Sequence, residues 1–219
     1  MPCSCLRGCV QEVVAAIRTL SSSGRLDYAV WRVRIAAAAI AIAATTAQLI
    51  DFAVYDQRLG PLDMMTHNSI FGITSLAALA LAAVASLAAA LRGGERSREL
   101  VGLSALLALL LALRIAHPAH VLLIAVPLGA AALTLLWSAA PGGTARRVLR
   151  EGCIVLVVAF VVHGIGTKVV SMLGLGPETW GYQLKAVVKH SGELAGWVLI
   201  AGGLVAAAAA ARPQLGRES

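Results

Sequence analysis

The sequence predicts an all-α, polytopic membrane bundle of six transmembrane helices with both chain ends on the cytoplasmic side. Three observations predict it. Of 219 residues, 59% are hydrophobic and only 13% charged, with a mean hydropathy of +0.82, too little charge to cover a soluble domain of this length. Six apolar runs approach the roughly 20 residues that a helix needs to span a bilayer. The arginines and lysines are unevenly divided between alternate connections, as the positive-inside rule requires.

Residues 1–32 read as a cytoplasmic segment. It opens with CSCLRGC, whose Cys3, Cys5 and Cys9 lack the partner motif of a metal site and would lie in a reducing compartment. We read a structural or incidental role for them. VQEVVAAIRTL (10–20) is too short and too charged for the apolar core of a signal peptide. With Val10, Val13, Val14, Ile17 and Leu20 on one face, it suits a helix lying on the membrane surface.

The six spans are expected at about 33–54, 68–91, 100–116, 119–139, 152–172 and 184–211, making 33–211 the membrane domain and 212–219 a cytoplasmic tail. RGGERSRE separates the second span from the third, PGGTARRVLRE the fourth from the fifth, and LGLGPETWGYQ the fifth from the sixth. His117-Pro118 makes a tight turn between spans three and four, because proline disfavours helix at the preceding residue and is welcome in a first turn. Pro127 should bend span four, having no backbone donor. The alanine-rich end of span six, AGGLVAAAAAAR, is the kind of surface that packs closely on another helix, including one from a partner subunit or a second copy.

With the N-terminus inside, the inner segments hold 13 of the 18 Lys and Arg: five up to Arg34, three in 92–98, three in 146–150, and Arg212 with Arg217. Arg58, Arg114, Lys168, Lys185 and Lys189 fall outside. The predicted location is the inner (plasma) membrane. Tyr28, Trp31 and Trp137 lie near the inner interface and Tyr55, Trp180 and Tyr182 near the outer one, as an aromatic belt would. No aromatic–basic interleaving or nucleic-acid motif accompanies the positive charge, so membrane lipid is the expected partner and nucleic acid is not.

All five histidines fall in the outer half: His67, His117, His120, His163 and His190. Asp51 and Glu193 join them. Ionisable residues inside a span are costly and mark candidate sites. His190 and Glu193 are three apart and share a helix face. Counting helix rise from the 174–177 turn puts His163 and His190 within about one turn of the same depth. His67 and His120 each open a span running in the same direction. Two pairs at matched depth on different helices is what a bis-imidazole haem requires. Gly192 and Gly196 form a GxxxG step that admits a close neighbour.

DMMTHNSIFGITSLAALALAAVASLAAAL (63–91) with LALRIAHPAHVLLIAVPLGAAALTLLWSA (111–139) resembles the outer-histidine four-helix bundle of haem A synthase-like proteins and other small bacterial b-type cytochromes. The resemblance spans about residues 35–140. It implies a haem b held by His67 and His120, with His117 as a substitute. Its loop cysteines and glutamate have no counterpart here, so the family's substrate chemistry is not implied.

Three functions are expected candidates. A haem protein for electron transfer or redox chemistry leads, with His67, His120, His163 and His190 as ligands and Arg114 or the outer lysines near the propionates. A zinc- or other metal-dependent enzyme, acting for instance as a lipid hydrolase, would use His163, His190 and Glu193 with an open position for water. A proton- or ion-coupled transporter would relay charge through the same groups and Asp51.

Overall fold

The computed structural model describes residues 23–55, 61, 69–93, 96–116, 121–139 and 143–210. These residues form six helices: α1 (Ser23–Tyr55), α2 (Ile70–Leu91), α3 (Ser97–Ala116), α4 (Val121–Ala139), α5 (Thr144–Met172) and α6 (Trp180–Ala210). Five of them, all but α4, are long and apolar enough to cross a membrane. In α4 the corresponding stretch is the shorter Ile124–Ser138. Helices alternate in direction, so the bundle has a near end, where α1 starts and α2–α3 and α4–α5 connect, and a far end.

Two helices start well before their expected apolar runs. α1 begins at Ser23 rather than about 33, and α5 at Thr144 rather than about 152. Arginine propagates helix well, and these polar first turns tie the two helices together at the near end. Thr144 donates to Asp27 at 2.6 Å, and Arg34 grips Glu151 through Nε (2.8 Å) and Nη2 (2.6 Å). Hydropathy marks the apolar part of a helix; these contacts extend it.

The helix ends follow their sequence signals. Ser69 caps α2, its hydroxyl accepting from the Gly72 amide at 3.0 Å. α5 stops at Gly174, whose φ of 63° suits the left-handed position after a helix, and the Leu175 amide donates back to the Val170 carbonyl. Thr179 then caps α6, accepting from the Tyr182 amide at 3.4 Å. The α4 helix runs through Pro127. The His117-Pro118 turn, the 10–20 surface helix, Cys3, Cys5, Cys9 and the 212–219 tail lie outside the described residues.

α6 is the centre of the bundle and packs against α5, α2 and α1, while α2, α3 and α4 follow one another around it. The α5–α6 seam is made by glycine. A side chain on Gly196 would place its Cβ 2.6 Å from Leu156, and one on Gly152 would meet Ile200 at 2.8 Å. The expected GxxxG step therefore does receive a close neighbour, which is α5. The alanine-rich end of α6 (Ala201, Ala206, Ala207, Ala208, Ala209) is likewise buried, against α1, α2 and α5. Within the described residues this stretch packs against the chain's own helices. The core is a block of leucines and alanines including Leu79, Leu103, Leu107, Leu136, Leu156 and Leu204.

Outside that core the surface is itself apolar. On α5, Val157, Phe160, Val161 and Ile165 are exposed, and so are Ile124 and Val126 on α4. At the near end Tyr28 stacks on Trp31, both exposed, and Arg150 lies 4.7 Å from the Trp137 ring.

Candidate functional site

Glu193 is the single acidic side chain of α6. It is 7% exposed and fourteenth in a helix of 31 residues. Its neighbours come from two helices. Arg114, near the far end of α3, forms an ion pair with it through a direct hydrogen bond, and Lys189, one turn earlier on α6, lies 3.4 Å away. Spacing explains the second contact, because residues four apart share a helix face. The first is made by the long Arg114 side chain reaching in from α3, which packs on α2 and α4, and joins residues 79 apart in sequence.

Cations exceed anions around this pair. Lys185 packs over the Tyr182 ring at 4.2 Å, one turn beyond Lys189. His163 lies within electrostatic reach of Lys185, Lys189 and Glu193. Arg114 and Lys189 thus share the single Glu193 carboxylate. Further toward the far end, Gln48 of α1 donates to Gln183 of α6 at 3.1 Å, and Gln183 donates to the Pro177 carbonyl at 2.7 Å. Asp51, one turn beyond Gln48, has no exposed surface at all. Phe52 meets Trp180 edge-on at 4.6 Å and closes this layer.

The charged set stops at Glu193. Between its layer and the Arg34–Glu151 pair at the near end, the core is mainly leucine and alanine, with Ser75, Cys153 and Trp197 buried among them.

The expected site residues divide into three groups. His67, His117 and His120 lie outside the described residues. Arg114 and Glu193 come together, with Asp51 buried further out. His163 and His190 do share a depth: Ala159 faces Gly192 and Gly166 faces Lys185 across the seam, which puts the two histidines within roughly 3 Å along the helix axes. They do not, however, face each other across a gap. At this level a Cβ on Gly192 would stand 2.9 Å from the Ala159 methyl, so α5 and α6 are too close to admit a macrocycle. This pair does not fit a bis-histidine haem. The zinc set does not assemble either. Among the described residues no three His, Cys, Asp or Glu side chains converge on a metal position, and the Glu193 carboxylate is occupied by two cations. The Nδ1 of His163 is buried without a hydrogen-bond partner.

Sequence reasoning missed Gln48 and Gln183. Their signal is the same as that of the histidines: an amide inside an apolar run wants a partner on another helix.

Comparison of the chain with protein-family models, curated proteins and solved structures finds no match.

Proposed function

We propose that this chain is a multi-pass protein of the inner (plasma) membrane with six spanning helices and its near end in the cytoplasm. Its outer half then holds a binding site, centred on Glu193, for the polar group of a membrane-soluble molecule. The orientation rests on the basic residues of the near end, joined there by Trp31, Tyr28 and Trp137. The observation that carries the site is Glu193 itself, buried among Arg114 and Lys189.

A buried ion pair is weak support for stability, since well-packed apolar residues in the same place are often as good or better. A charge in a spanning helix costs about 2.5–3.5 kcal/mol on insertion scales. Keeping Glu193 there is therefore better explained by something it orients. The surplus cations favour a ligand with an anionic or strongly accepting group, such as a lipid phosphate. The apolar layer beneath the site supports binding from one leaflet over conduction across the bundle.

Mass spectrometry of small molecules co-purifying with the protein, compared with Glu193→Gln and Arg114→Gln, tests this. An amphiphile retained by the natural protein and lost from both variants is expected. Identical extracts from all three would overturn the reading.

Haem b is a second reading, for His67 and His120. Its support is that α2 and α4, which follow these residues directly in sequence, flank α3 and run in the same direction. Oxidised and reduced absorbance spectra of a haem-replete preparation, with metal analysis, decide it: reduced α and β bands abolished by His67→Ala are expected, and a colourless protein would sink it.

A further inference from the structure

Glu193 holds two cations and leaves most of their donors unspent. Arg114 reaches Oε1 through Nη1, and among the described residues its guanidinium makes no other hydrogen bond. Lys189 lies 3.4 Å from Oε2, close enough for an ion pair but outside hydrogen-bond geometry. A guanidinium carries five N–H donors and an ammonium three. Both side chains keep accessible surface, 26% for Arg114 and 22% for Lys189, whereas the carboxylate between them keeps 9%. A ligand can therefore reach the cations without displacing the protein around them.

The two cationic nitrogens stand on the two oxygens of one carboxylate. They are thus within roughly 8 Å of each other, the span that a phosphate covers when two of its oxygens each accept a hydrogen bond.

Direction is the second observation. Helical side chains lean toward the N-terminus of their helix, and a lysine near one end of a span reaches for the nearer interface. Lys185 obeys both rules, its ammonium lying over Tyr182, three residues earlier. Lys189 does the opposite and turns toward Glu193, four residues later. Glu193 acts here as a positioning residue that keeps an ammonium beside Arg114.

Height is the third. Arg114 is two residues from the far end of α3, so a bilayer matched to α3 brings its headgroups to this level. The tails of such lipids would lie along the exposed Ile115, Ile124 and Val126. Arg114 and Lys189 against one carboxylate leave one net positive charge, and a phosphodiester carries one negative charge.

We infer that the ligand of this site is a phospholipid of the far-end leaflet, its phosphodiester bridging Arg114 and Lys189. The inference rests on the reading that Glu193 marks a ligand site, and it names the group that binds there.

The probe is dioctanoyl phosphatidylglycerol, titrated calorimetrically into the full-length protein in an uncharged maltoside detergent. Dioctanoyl glycerol and inorganic phosphate are titrated separately. The phospholipid is expected to bind, and each of the other two at least about tenfold more weakly, since each lacks half of what the site recognises. Lys189→Met removes the ammonium, keeps the length of the side chain and leaves Arg114 on Glu193. It is expected to melt with the natural protein and to bind the phospholipid about tenfold more weakly, the worth of a hydrogen bond between charged groups. Lys189→Arg should restore most of the affinity.

Equal phospholipid affinity in Lys189→Met overturns the inference. So does dioctanoyl glycerol bound as tightly as the phospholipid, which would remove the phosphate from recognition. Inorganic phosphate bound as tightly would make the ligand a water-borne anion and overturn the lipid. A Lys189→Met protein that melts well below the natural one overturns it as well, because the ammonium would then be spent on the fold.

The broader reading can survive this failure. A co-purifying amphiphile that carries no phosphate and is lost from Glu193→Gln keeps the Glu193 site and overturns the phospholipid. Identical extracts from all variants, with no phospholipid bound, remove both.

Discussion

From Leu194 to Ala210, α6 reads LAGWVLIAGGLVAAAAA; from Trp180 to Glu193 it reads WGYQLKAVVKHSGE. Both halves belong to one continuous helix, yet the first is buried and gives almost nothing but small and apolar contacts, and the second, largely half-buried or exposed, contributes Gln183, Lys185, Lys189, His190 and Glu193. The glycine–alanine half lets α5, α1 and α2 come close, and dispersion over those short distances holds the bundle together. The polar half buys no comparable packing. Each of its charges has to be matched by a side chain from α3 or from its own next turn. One half is explained by folding, and the other is where we propose that a ligand binds.

That contrast is open to direct attack. The largest effect is expected from Arg114→Leu, which leaves Glu193 buried with Lys189 alone; unpairing a buried charge costs about 3–5 kcal/mol, read as thermal unfolding in detergent. Arg114→Leu combined with Glu193→Leu should recover most of that loss. A double variant as unstable as the single one would show that the pair is structural after all. Next comes Gly196→Leu in the seam, where the new side chain meets Leu156; overpacking costs about 1–3 kcal/mol, and monomer recovered on size exclusion should fall. Equal recovery would mean that α5 and α6 part easily. Gln48→Leu removes an interhelical hydrogen bond worth about 0.6 kcal/mol on average in membranes. A small fall in melting temperature is expected there, and a large one would place Gln48 in the functional network. The smallest effect belongs to Arg34→Ala. Arg34 and Glu151 are 36% and 37% exposed, so their pair is screened and worth at most about 1 kcal/mol.

How far these features were legible in the sequence depends on their range. All six helices could be read from composition, and the far ends of five lie within two residues of the expected limits, helped by local signals such as Gly174 and Ser69; α6 starts four residues early, at Trp180. The early starts of α1 and α5 were hidden because Arg32, Arg34, Arg146 and Arg150 look like a loop to a hydropathy scale. Depth could be read as well: His163 and His190 are level, as helix rise implied. Facing could not. Whether two level residues meet depends on which stripe of each helix is turned inward, and the glycine contacts Gly152–Gly196 and Ala159–Gly192 fix that. The Arg114–Glu193 pair needed the arrangement of α3 around α6 in the bundle, which no spacing encodes.

The helices also differ in height. α3 has 20 residues, about 30 Å of helix, whereas α6 has 31, about 46 Å. Arg114 is two residues from the end of α3, while its partner Glu193 has thirteen residues of α6 still beyond it. The α5–α6 hairpin therefore stands roughly 17 Å above the rim of α3, as a wall above a ledge. A bilayer matched to α3 is too thin for α6, and one matched to α6 swamps α3, so lipid must thin or tilt around this step. A molecule sliding within the leaflet at the far end would strike the wall and be deflected down onto the ledge where the charges sit. Such a site searches its surroundings in two dimensions, and its occupancy would follow the mole fraction of ligand in the leaflet instead of its concentration in water.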